Sequence, residues 1–234
     1  MTNKMQTFAW LSLFLFPFGS VWTANNENHT AKQFTEATIR FEQNVTDQDV
    51  EVVIEAKGGV EGLVKLSVVA PNGNNIVNVA VPDTNSLGLR HFNFESPEPK
   101  DIKGLKAAYP EGEYTFSGIT SSGGKLNAKA TLNHVLAEPA SVLRPKADAE
   151  QVSVKDLEIA WSPVKNAAAY IVSIEQVDSD INFTAKLPGS ATRLLVPNGF
   201  LVSGREYNLG IGTVTAKGNI TYAETSFTTE STKK

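Results

Sequence analysis

The sequence predicts an all-β protein built as two tandem antiparallel β-sandwiches, and three observations carry that reading. From Thr38 onward, apolar and polar residues alternate in short runs parted by Gly-, Pro- and Asn-rich turns, the period of a strand with one face in a core. The chain has 234 residues, 41% of them hydrophobic, which suits two cores of about 100 residues each. It has no cysteine, so each sandwich must hold itself by packing rather than by disulfides.

Element by element, Val50–Ala56 alternates with Val50, Val52 and Ile54 on one face, and Val64–Val68 repeats the pattern. Pro71–Asn75 is a turn cluster leading into Ile76–Val81. Phe92 with Phe94, and Tyr114 with Phe116, are pairs one residue apart, as strands require, and Leu126–Leu132 alternates again after a Ser121–Gly124 hairpin turn. The exception is Glu98–Tyr109, where Ile102, Leu105 and Tyr109 are spaced by three and four, predicting a short helix ended by Pro110.

The N-terminus reads as an export signal. Lys4 is the only charge before Glu27, and the apolar run Phe8–Phe18 has the length of a signal-peptide core, short of the roughly 20 residues a spanning helix needs. Cleavage is placed after Ala24, with Ser20 as the alternative. The expected organisation is a signal peptide over 1–24, a flexible segment over 25–37, a first sandwich over 38–138 and a second over 139–230, joined by the Pro-containing stretch Ala137–Ala140. Export implies a secreted or periplasmic location, with no stable membrane insertion after cleavage.

The second half carries a resemblance. Leu157-Glu-Ile-Ala-Trp161-Ser-Pro163, then Asn166–Ile174 with Tyr170, then Leu201-x-x-Gly204-x-x-Tyr207-Asn-Leu-Gly-Ile211 resembles a fibronectin type III domain over roughly 139–229. The resemblance implies Trp161 and Tyr170 as core partners and Tyr207 as a tyrosine corner bonded to upstream backbone. The first half does not match that family and is expected to be an immunoglobulin-like sandwich. Its stretch Tyr109–Gly118 and the run to His134 resemble a segment that precedes fibronectin-like domains in secreted bacterial proteins, a likeness that carries no activity.

Chemistry is scarce. The net charge is −4 with basic residues scattered, which gives nucleic acid little to grip. The three histidines, His29, His91 and His134, form no His-x-x-x-His pair for zinc, and no Gly-x-Ser-x-Gly elbow supports a serine nucleophile. Glu95 with Glu98, and Glu111 with Glu113, are the paired carboxylates that glycoside hydrolysis would need, but in Pro- and Gly-rich loops they read as solvated. Asp178–Asn182 opens like a calcium loop, then places Phe183 where glycine is required and Gly189 where glutamate is; it reads as a hairpin loop. Sequons stand at Asn28, Asn44, Asn182 and Asn219.

No catalytic, cofactor-binding or metal-binding residue is therefore singled out. The expected function is an exported, non-catalytic binding, adhesion or spacer protein whose partner is a protein or polysaccharide. Its loops of interest are Asn72–Asn75, Asn85–Gly88, Asp178–Asn182 and Lys217–Asn219. The alternatives are an exported glycan-acting hydrolase and an accessory subunit of a cell-surface assembly.

Overall fold

Alternation turns into strands over nearly the whole of the structure, a computed structural model that describes residues 33–81, 87–99 and 101–231. The expected signal peptide and its cleavage points, the segment 25–32 with Asn28 and His29, Asn85, and the terminal lysines lie outside the described residues.

The first half runs β1 (Glu36–Asn44), β2 (Asp49–Lys57), β3 (Leu63–Val69), β4 (Asn75–Ala80), β5 (His91–Glu95), α1 (Ile102–Ala108), β6 (Gly112–Thr120) and β7 (Lys125–Leu132). The helix falls where the three-and-four spacing predicts it. Asp101 caps it by accepting from Lys103 N at 2.9 Å, Leu105 is buried, and Pro110 follows its end. The second half runs β8 (Val142–Arg144), β9 (Ala149–Val152), β10 (Glu158–Trp161), β11 (Ala169–Gln176), β12 (Asn182–Pro188), β13 (Arg193–Leu195), β14 (Glu206–Val214) and β15 (Ile220–Thr229).

Among the described residues these strands form three sheets. One sheet has the order β4-β3-β6-β7 and another β13-β10-β8, while a large sheet runs β12-β11-β14-β15-β1-β2-β5 with β9 also on β15. The buried side chains group into a core over Phe34–Leu132 and another over Ala140–Phe227, each lying against the large sheet. That sheet crosses from one half to the other where β1 pairs in parallel with β15, Glu42 opposite Ile220, Gln43 opposite Thr221 and Asn44 opposite Tyr222. The second half of the same β15 edge is taken by β9, Phe227 opposite Ala149. The halves are thus joined through a sheet as well as through the chain at Ala137–Ala140, and the described residues fall in one unit.

The large sheet departs from the expectation of a solvated outer face. Val50 to Ala56 on β2 are buried on both faces, and so are Leu209 to Val214 on β14. On β14 the reason is two glycines. A Cβ at Gly212 would lie 2.6 Å from the Tyr222 ring, and one at Gly210 would lie 2.6 Å from Ser173 Oγ of β11. The bare backbone lets the Tyr222 ring of β15 lie over Gly212 and Ser173 of β11 lie against Gly210.

Candidate functional site

The outer face of the large sheet is where the described residues concentrate charge. Even-numbered positions of β1 and odd-numbered positions of β2 and β5 share it by register, which puts Thr38, Glu55 and Asn93 in one row and Glu36, Lys57 and His91 in the next. Glu55 is fully buried. Its carboxylate accepts from Lys57 Nζ at 2.9 Å and lies 2.8 Å from His91 Nε2, an ion pair whenever that ring is protonated. Lys57 also reaches Glu36 at 2.6 Å, and Arg40 Nε donates to Glu42 at 2.6 Å. Burial works against both cations, but Glu42 outweighs it at Arg40, and Glu36 and Glu55 outweigh it at Lys57, so each is held above its ordinary value.

Arg40 Nη1 stops 3.7 Å short of Glu55 Oε2. Neither atom has a hydrogen bond, and Thr38 Oγ1 and Asn93 Oδ1 beside them are also buried without one. Cations and carboxylates interleave here, so the cluster ties three strands together rather than presenting a free acid or base.

The end of this face nearest the seam is acidic. Burial pushes Glu51 up to about 8, with Glu42 and Glu95 adding to it. Burial also raises Glu224 to about 7, against a hydrogen bond from Asn44 and together with Asp47 and Asp49. Asp49 itself is raised by burial and by Asp47. Asn44 Nδ2 donates to Asp47 at 2.8 Å and to Glu224 at 3.0 Å, while Asn44 Oδ1 accepts from Thr46 N at 3.0 Å.

The candidates read from the sequence do not converge. His134 lies beyond β7, with Nε2 2.8 Å from the Tyr109 carbonyl oxygen, its backbone N–H on Glu111 at 2.6 Å and its ring against Phe41. Glu113 is an exposed partner of Lys129 at 2.7 Å. Asp178–Asn182 belongs to a hairpin, since Glu175 of β11 stands opposite Asn182 of β12 and Gln176 N donates to Ile181 O. Among the described residues, no group of three or more His, Asp or Glu side chains is placed to hold a metal ion.

The sequons separate cleanly. Asn44 and Asn219 are buried with both ends of each amide bonded, so a glycan on either is incompatible with these contacts, whereas Asn182 is exposed.

Two tyrosines turn a chain reversal into a fixed corner. Tyr207 OH accepts from Val202 N at 2.8 Å and donates to Gln176 at 3.3 Å. Tyr114 OH donates to the Pro110 carbonyl at 2.9 Å, the same device in the first half.

Comparison with protein-family models returns no match, and comparison with curated proteins returns none. Among solved structures the chain is similar to a two-domain fibronectin type III segment of chicken tenascin, at 15% identity, TM-score 0.31, covering 84% of this chain and 97% of that one. It is similar to the fn3 domain of human collagen alpha-1(XX), at 16% identity, TM-score 0.34, covering 44% and 89%. It is also similar to fibronectin(III)-like modules of Clostridium thermocellum CbhA, at 8% identity, TM-score 0.34, covering 85% and 94%.

The second half can be judged on its own geometry. Its first, third and sixth strands form one sheet and its fourth, fifth, seventh and eighth the facing one. Trp161 packs edge-on against Tyr170 with ring centroids 5.4 Å apart, and Tyr207 closes its corner. That combination is a fibronectin type III-like sandwich.

Proposed function

We propose that this chain is an exported, non-catalytic module of two sandwiches, over 38–138 and 139–230, that holds binding loops for a protein or polysaccharide at a fixed spacing. The observation that carries the reading is the parallel pairing of β1 with β15. A joint made only of chain would leave the halves free to reorient, whereas backbone hydrogen bonds and the buried Asn219 across the seam give a spacer one geometry. Export rests on the charge and length pattern of Lys4 to Ala24. The absence of cysteine makes the test direct. Spin labels on Thr131→Cys of β7 and Thr184→Cys of β12, both exposed, are expected to give one narrow distance distribution by pulsed electron resonance. A broad or bimodal distribution would remove the fixed-spacer reading.

A further inference from the structure

The large sheet ends in β12, and among the described residues no strand lies along its far edge. Which main-chain groups face that edge follows from the register. Gln176 N donates to Ile181 O at 3.0 Å and Gly189 N to Ala168 O at 3.1 Å. The odd-numbered residues between them therefore bond toward β11. The N–H and C=O of Asn182, Thr184 and Lys186 point the other way, and all three residues are exposed. The other sheet ends are blunted in the ways that deter strand pairing. The β3–β4 register shifts, β7 carries Lys125 and Lys129, β5 is bounded by His91 and Glu95, and β8 and β13 have 3 residues each. By contrast β12 runs 7 residues against β11 with no register shift, with Pro188 only at its end and Lys186 as its one charge.

We propose that β12 pairs edge to edge with β12 of a second copy, antiparallel about a two-fold axis through Thr184, so that two large sheets become one. The edge is complementary to itself in this register. Thr184 stands opposite Thr184 and Asn182 opposite Lys186, so every outward main-chain group meets a partner and each lysine meets an amide. An axis through Lys186 would set the two lysines face to face, and one through Ala185 would set Asn182 against Pro188, which has no N–H to give. On the core side the same register sets Ile181 opposite Leu187 and Phe183 opposite Ala185. Phe183 and Leu187 already pack against the second core, while Ile181 is 47% exposed and gains an apolar neighbour. Apolar rows thus continue into apolar rows and polar into polar, as a shared register requires. An isologous contact of this kind closes at two copies. It goes beyond the spacer reading without depending on it, and a label on Thr184 covers this edge, so the distance measurement above reads the single chain.

The full-length chain is followed by residue-resolved amide exchange and by sedimentation from about 5 to about 500 µM. The amides of Asn182, Thr184 and Lys186 are expected to exchange about fivefold slower or more at the high end, with those of β7 unchanged. Thr184→Glu places two carboxylates on the axis and is expected to weaken the dimer about tenfold or more, as is Thr184→Lys with two ammonium groups. An equimolar mixture of the two variants is expected to restore pairing, which also shows both to be folded. Exchange is read by residue because the apolar run Phe8–Phe18 is itself able to associate. Exchange at the three amides that ignores concentration overturns the proposal. So does a slowing that survives Thr184→Glu, or a mixture in which the variants stay apart. Protection given by an alternating Thr-Val peptide, but not by more of the chain itself, assigns the edge to a foreign strand and overturns it too.

Discussion

Glu51 stands directly opposite Glu42 across β2 and β1, a like-charge pairing that costs a sheet stability when both groups ionise. Glu42 pairs with Arg40 at 2.6 Å, while Glu51 faces Asp49 on its own strand, Glu95 on β5 and Glu98 beyond it. Burial and those neighbours lift Glu51 from 4.5 to about 8. The folded chain then holds a proton that the unfolded chain has released, so this contribution to stability is complete below the unfolded value and is lost as pH rises through about 8. Glu51→Gln is expected to leave stability unchanged near pH 4 and to raise it at pH 9 by on the order of 2 kcal/mol. Urea titrations at the two pH values check this, and an equal gain at both would show that the carboxyl does not titrate on folding. None of this was legible locally, because alternation shows Glu51 as a polar strand position without showing which glutamate stands across from it.

At the scale of elements, strands, turns and the short helix followed the sequence closely because each is dictated by neighbours in the chain. The Gly218-Asn219 turn shows where local reading ends. It reads as a hairpin turn with a sequon, and Thr215 N does bond Asn219 O across it. Yet the Asn219 side chain works elsewhere. Its Oδ1 accepts from Phe41 N at 3.0 Å, 178 residues away, and its Nδ2 donates to Val135 O at 2.8 Å and Asn133 O at 2.9 Å. Asn219→Ala leaves those buried backbone groups unmet and should cost about 2–4 kcal/mol by chemical denaturation. A loss below about 0.5 kcal/mol would mean that water replaces the amide and the seam does not rely on it.

For the whole molecule, a sheet that crosses both cores predicts that neither half unfolds alone. Calorimetry should show one transition with calorimetric and van't Hoff enthalpies in agreement, and two separated transitions would show the cores to be uncoupled. By itself the sequence determined the all-β class and the core faces of its strands, since periodicity and turn chemistry act over a few residues, while the Trp161–Tyr170 pair and the Tyr207 corner followed from its resemblance to a fibronectin type III domain. Tertiary structure alone decided that β1 docks on β15 and that charge gathers on the outer face of their common sheet. Strand order brings together residues far apart in the chain, and alternation, which states only which face is buried, says nothing about which strand lies alongside.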